Sequence, residues 1–268
     1  MMTNDMNAER LKLAVYLARR GGDLALDYFR RRDGLVVETK RHVTDLVSEA
    51  DREVETLIRT ALDKAFPEDA ILGEEHGLSE GSSGFTWVLD PIDGTAPYLN
   101  GLPGWCVSIG ARDGDGPVLG VIYAPILDEL FVACRGQGAT LNGEPIRALD
   151  GDLRAGLLGI GANDRVASDR VGRMLTELMD AGAGWMRYGS GALMLAWVAA
   201  GRLVGYAEPR MNAWDCMAGY VLILEAGGRV LPFPDGPGLT LPAPVLGASA
   251  GAYDELRDIC DFGSAPDW

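Results

Sequence analysis

Trp87-Val88-Leu89-Asp90-Pro91-Ile92-Asp93-Gly94-Thr95 places two carboxylates and a hydroxyl at the end of an apolar run, and the chain continues through Ala96-Pro97-Tyr98 to Trp105-Cys106-Val107-Ser108-Ile109-Gly110. Trp87, Val88 and Leu89 read as a short buried strand; Asp90 ends it, and Pro91 with Gly94 turns the chain. Such a turn lets Asp90 and Asp93 face one point. Carboxylate oxygens are the hard ligands that Mg²⁺ prefers, and one carboxylate can bridge two such ions about 3.5–4 Å apart. Taken alone, an Asp-x-x-Asp turn is more often a helix cap than a metal site. Here it has distant companions.

Leu72-Gly73-Glu74-Glu75-His76-Gly77 and Val43-Thr44-Asp45-Leu46-Val47-Ser48-Glu49-Ala50-Asp51 lie upstream, and Ala213-Trp214-Asp215-Cys216-Met217-Ala218-Gly219 lies far downstream. With the Asp-Pro-Ile-Asp-Gly-Thr core, these motifs resemble in order and spacing those of the inositol monophosphatase family of magnesium-dependent, often lithium-sensitive phosphomonoesterases. The resemblance runs from about the first helix to the last.

Composition bounds the remaining possibilities. Across 268 residues, 47% of them hydrophobic, the chain can form one large α/β domain or two lobes sharing a core. No segment approaches the roughly 18 unbroken apolar residues of a membrane span, and the polar start lacks a signal peptide's apolar core. The expectation is a soluble, cytoplasmic protein with no membrane partner. Four scattered cysteines without a Cys-x-x-Cys pair indicate small buried hydrophobes. A net charge of −15, from 39 acidic and 24 basic residues, argues against nucleic acid as a partner. Bound cations reconcile such a chain with an anionic substrate. Only His42 and His76 are present, which disfavours histidine-based catalysis.

Periodicity places helices at about 7–31 (weakened by Gly21-Gly22), from Ser48 as N-cap to 66, and at 168–181, 192–200, 214–226 and 253–260. Strands are expected at 35–37, 87–89, 105–111, 118–123, 130–134, 157–160, 185–188, 203–207 and 245–248, with a hairpin turn at Asn142-Gly143 and a surface loop over 232–244. A strand-rich half followed by an alternating half fits an α/β protein with two sheets. The resemblance sharpens this to a layered αβαβα sandwich of the inositol monophosphatase / fructose-bisphosphatase type. It implies an N-terminal lobe over 1–150 carrying most metal ligands, and a C-terminal lobe over 151–268 carrying Asp215 and the substrate pocket.

The same resemblance implies two or three Mg²⁺ ions. Glu74, Asp90 and the Ile92 carbonyl would hold the first, and Asp90, Asp93 and Asp215 the second. Asp45, Glu74 and Thr95 form the expected catalytic group, in which the Thr95 hydroxyl accepts from the attacking water and donates to Asp45. Asp93, Gly94, Thr95, Arg187, Ser190, Gly191 and Glu208 would meet the substrate. Each residue also has a plainer reading: Glu74-Glu75 as solvated loop charge, Asp45 as a loop carboxylate, Thr95, Ser190 and Asp215 as helix caps, and Glu208 before Pro209 as a surface charge. Two departures from the family pattern stand out. Ala96-Pro97-Tyr98 replaces the Asn-Phe pair that usually follows the threonine, which should alter the pocket rim, and Met217 replaces a small residue.

By resemblance the substrate is a small phosphorylated metabolite, with myo-inositol 1-phosphate leading. Histidinol phosphate, 3′-phosphoadenosine nucleotides and fructose 1,6-bisphosphate are alternatives. The family also implies a homodimer and, in some bacterial relatives, a regulatory role in transcription complexes.

Overall fold

The computed structural model describes the backbone of residues 2–31, 37–39 and 46–262, and side chains over 6–31 and 49–262. The chain opens with helix α1 (Met2–Arg30), strands β1 (Val37–Thr39) and β2 (Leu46–Ser48), helix α2 (Glu49–Ala65), and strands β3 (Ala70–Gly73), β4 (Gly77–Ser79) and β5 (Thr86–Asp93). After the short helix α3 (Thr95–Leu99) come β6 (Cys106–Asp113), β7 (Gly116–Ala124), β8 (Glu129–Cys134), β9 (Ala139–Leu141) and β10 (Glu144–Ile146). The remainder alternates: β11 (Leu157–Ile160), α4 (Ser168–Asp180), β12 (Gly184–Met186), α5 (Gly191–Ala199), β13 (Gly205–Met211) and α6 (Ala213–Glu225). It closes with β14 (Arg229–Val230), β15 (Ala243–Ala248) and α7 (Tyr253–Ile259).

Three apolar seams join five layers. Ala14, Leu17, Ile58 and Leu62 of α1 and α2 pack on Trp87, Leu89, Val107 and Val121, one face of an eight-stranded sheet ordered β10-β9-β8-β7-β6-β5-β3-β4. Its other face, with Ile122 and Phe131, meets Leu195 and Leu222 of α5 and α6, which also cover Tyr206 and Val245 of a five-stranded sheet ordered β12-β11-β13-β15-β14. Leu158, Ala207 and Leu246 on the far side of that sheet are covered by Met174 and Leu178 of α4 and Leu256 of α7. The result is the layered αβαβα arrangement expected from the sequence. Because α5 and α6 are apolar on nearly every side, they suit a middle layer between two sheets.

Several local expectations shift. Gly21-Gly22 does not interrupt α1: the helix runs through both, and a Cβ on Gly22 would lie 2.4 Å from Tyr123 Cδ1. The glycines admit the sheet rather than interrupt the helix. Asn142 (φ 51°) and Gly143 (φ 88°) form the anticipated hairpin turn between β9 and β10. Strands β3 and β4, of 4 and 3 residues, were not among the expected strands. The segment over 203–207 is displaced to β13, so Glu208 and Pro209 lie inside a strand; a register shift against β15 between Glu208 and Met211 accommodates the proline. The strand expected over 185–188 is β12, and the 232–244 loop holds a 3₁₀ turn at Gly236–Thr240. All four cysteines are buried and unbridged. Among the described residues no helix is long and apolar enough to cross a membrane.

Candidate functional site

Strand β5 ends in the two aspartates. Against β6, Asp90 pairs with Ser108 and Asp93 with Cys106, so three steps on one strand match two on the other. A regular strand would send residues three apart to opposite faces; the bulge returns Asp90 and Asp93 to the same face. Asp90 is 1% exposed and Asp93 8%. Asp215 enters from the first turn of α6, where its Oδ2 accepts from Asn212 N at 3.0 Å in a capping box. The capping role and the convergence on the other aspartates therefore coincide. One carboxylate oxygen from each of Asp90, Asp93 and Asp215 lies within 4.8 Å of the others.

Three acids gathered out of water resist ionisation. Burial, then the charges of Glu74, Asp93 and Asp215, push Asp90 well above the usual carboxylate range. Burial raises Asp93 to about 6, against the pull of hydrogen bonds from Ser190 and the amides of α5. Burial and the Asp93 charge raise Asp215 to about 7. An oxygen-only donor set of this density fits a hard divalent cation, which would replace the retained protons.

Glu74 follows β3, whose Gly73 pairs in parallel with Leu89 next to Asp90; its amide donates to Leu89 O at 3.2 Å. Its charge thus bears on Asp90, although Glu74 is outside the compact group of three. Ile92 N donates to Asp90 Oδ1 at 3.0 Å, and the Ile92 carbonyl accepts from Thr95 Oγ1 at 3.2 Å. Gly94, with φ 95°, starts α3, and a Cβ there would meet Gly104 O at 2.5 Å; both facts require glycine. Pro97 is buried beneath Gly189, whose added Cβ would lie 2.7 Å from the ring. The departure at Ala96-Pro97 is therefore packed into the turn that carries Ser190, and Ala96 lines the rim.

A cavity of about 930 Å³ opens onto Asp93 and Asp215 and is walled by Arg187, Ser190, Gly191 and Glu208 among others. Ser190 caps α5, accepting from Leu193 N at 3.2 Å, and donates its proton to Asp93 Oδ2; Ala192 N donates to the same oxygen at 2.7 Å. The cap is as the plainer reading had it; that the same hydroxyl also holds the Asp93 carboxylate was not expected. Arg187 reaches the Ala162 carbonyl at 3.0 Å. Glu208 is not a surface charge. Its Oε2 accepts from Tyr206 Oη at 2.6 Å and its Oε1 from Asn163 Nδ2 at 3.1 Å, and burial raises its pKa against these hydrogen bonds.

Asp45 lies outside the described residues. Asp51, quoted in the same motif but given no role, is 1% exposed in the first turn of α2. After burial, its charge is the next cause that raises the Tyr98 phenol on α3, the helix that begins with Thr95. Tyr206 and Asn163 were also missed; only the strand register that brings Glu208 inward connects them to the site.

Five alternating layers with acids from one strand end and a helix start, clustered under a cavity, define a class of layered α/β proteins with an acidic cation-type centre. The profile of the Inositol monophosphatase family matches residues 6–260, and the chain belongs to that family of phosphatases. It is 34% identical over 250 residues to the Nus factor SuhB of Haemophilus influenzae, covering 92% of this chain and 93% of that one. It is 37% identical over 249 residues to inositol monophosphatase 1 of Solanum lycopersicum, covering 88% of each. Among solved structures, the extragenic suppressor protein suhB from Bartonella henselae superposes with a TM-score of 0.86 at 31% identity, covering 96% of this chain and 100% of that one.

Proposed function

We propose that the protein is a Mg²⁺-dependent phosphomonoesterase acting on a small polyol phosphate, with myo-inositol 1-phosphate as the leading substrate. The observation that carries this reading is the convergence of Asp90, Asp93 and Asp215 oxygens within 4.8 Å, two of the residues also walling the cavity. Asp90, Asp93 and Asp215, joined by Glu74 and the Ile92 carbonyl, would hold two or three Mg²⁺. When bound, these ions supply charge neutralisation for the phosphoryl oxygens and the leaving alcohol, and lower the pKa of water. The chain's own residues do the positioning. Gly94 and Thr95 offer amides to the phosphate, and the Thr95 hydroxyl orients the attacking water. For the carboxylate behind Thr95, Asp51 joins Asp45 as a candidate, because it is buried and its charge reaches Tyr98 on α3. Glu208, set by Tyr206 and Asn163, faces the alcohol portion, and Arg187 adds a cation to the same wall. A cytoplasmic homodimer completes the proposal.

The decisive experiment is a panel of inositol 1-phosphate, histidinol phosphate, 3′-phosphoadenosine 5′-phosphate and fructose 1,6-bisphosphate, assayed with Mg²⁺ and scored by kcat/KM. Inositol 1-phosphate should lead, and chelation should abolish turnover. Phosphate release from none of them would sink the reading. The relatives named Nus factor SuhB favour a second reading, binding to a transcription complex. Association with such a complex, undiminished when Asp90 is changed to Asn, would separate that role from the acidic centre.

A further inference from the structure

Under the turn that carries Glu74, the inward face of α2 bears an acid and a base four residues apart. Glu55 is fully buried and Arg59 is 8% exposed. Glu55 Oε2 accepts from Glu75 N at 2.7 Å; Oε1 accepts from His76 N at 3.2 Å and pairs with Arg59 Nε at 3.2 Å. His76 Nδ1 lies 3.3 Å from the same Oε1. Arg59 directs the rest of its fork to the Ile71 carbonyl, at 3.2 and 3.3 Å, and to the Gly77 carbonyl. Backbone donors and acceptors on both limbs of the β3–β4 connection therefore converge on one ion pair. Gly73 fits over it so closely that a Cβ would lie 2.1 Å from Glu55 Oε1.

A buried pair gains little stability over apolar residues of the same volume, because desolvation offsets the attraction. An apolar pair would have no means of holding two amides and two carbonyls around Glu74. That hold has electrostatic work to oppose: once Asp90 is ionised, as a metal ligand must be, Glu74 and Asp90 are like charges on neighbouring strand ends, and repulsion between them favours a turn that swings away. We propose that the Glu55–Arg59 pair is a positioning device for the acidic centre, pinning the Glu74 backbone beside Asp90 and thereby setting the affinity for Mg²⁺. This rests on the reading of Glu74 and Asp90 as Mg²⁺ ligands.

Mg²⁺ binding to the wild-type protein, Glu55→Asp and the paired variant Glu55→Gln/Arg59→Met, measured by titration calorimetry, tests it. Glu55→Asp keeps the charge and loses reach; the paired variant leaves no buried ion alone and is expected to fold. Both should bind Mg²⁺ about 10–100-fold more weakly, the range of changes that act through a ligand's support. The amides of Glu75 and His76 should exchange faster in the metal-free protein. Turnover of an aryl phosphate should fall at ordinary Mg²⁺ and recover at saturating Mg²⁺, which a general loss of structure would not allow. Wild-type Mg²⁺ affinity in folded variants whose Glu75 and His76 amides have lost protection overturns the proposal. Asp90→Asn serves as the control: if it binds Mg²⁺ normally, the metal reading itself is wrong.

Discussion

At the scale of single residues, Asp90 is the most constrained group in the site. It is surrounded by the charges of Glu74, Asp93 and Asp215, and its Oδ1 also orders the Ile92 amide. Asp90→Asn keeps the shape and removes one charge that the proposal assigns to more than one ion. Turnover should drop by well over the roughly 100-fold limit of indirect changes, with Mg²⁺ titration shifted in parallel; near-normal turnover at ordinary Mg²⁺ would contradict the ligand assignment. Glu208 calls for a gentler variant. Replacing it with alanine would leave the buried Tyr206 hydroxyl without its acceptor, at a stability cost of about 1–3 kcal/mol, while the Asn163 amide keeps the Arg210 carbonyl. Glu208→Gln retains an acceptor and loses the charge. It should raise KM for inositol 1-phosphate about tenfold while changing that for a simple aryl phosphate much less. Equal loss on both esters would place Glu208 in the catalytic or folding machinery.

At the scale of elements, the β5 bulge and the starts of α5 and α6 do the assembling. The bulge turns Asp93 onto the face of Asp90, α5 meets Asp93 with Ser190 and the Ala192 amide, and α6 brings Asp215 in its first turn. Donated hydrogen bonds from a helix start favour the ionised form of Asp93, so α5 tunes the acid as well as locating it. On the opposite face of the sheet, α1 settles closely on β7 through Gly22. Helix propensity alone predicts that Gly22→Ala stabilises by about 1 kcal/mol. The added Cβ would instead lie 2.4 Å from Tyr123 Cδ1 and 2.9 Å from Pro125 Cγ, and such overpacking costs about 1–3 kcal/mol. Chemical denaturation should therefore show a net loss of stability, and a gain would mean that the helix can lift without penalty.

For the molecule as a whole, layering brings acids from both halves of the chain into one buried place, and this couples folding to pH and, on the proposed function, to metal. Asp93 and Asp215 are raised from an ordinary 3.8 to about 6 and about 7. Between the lower and upper values the folded, metal-free protein keeps protons that the unfolded chain has released. Their contribution to stability accordingly falls as pH rises through that window. A cation competes with those protons and binds best once they have left. The increase in melting temperature on adding Mg²⁺ should thus be larger at about pH 8 than at about pH 5, measured as the difference between Mg²⁺ and chelator at each pH. An equal increase at both would show that these acids do not hold the ion.

What the sequence determined by itself was local: which acids stand in contiguous motifs, the helices with a clear apolar face, the Asn142-Gly143 turn, and the burial of four lone cysteines. Asp90, Asp93, Thr95 and Asp215 announce themselves through contiguous motifs, and family resemblance ordered those motifs into a layered fold. The tertiary structure decided everything that depends on pairing. Only the register of β5 on β6 shows that Asp90 and Asp93 share a face, and only β13 on β15 draws Glu208 inward despite Pro209. Ser190 and Asp93 meet across 97 residues, and Glu55 reaches the Glu74 turn from a different element. The physical reason is the two-residue period of a strand. A bulge of one residue reverses which face a side chain occupies, and no local pattern of hydrophobicity records the strand against which that bulge is measured.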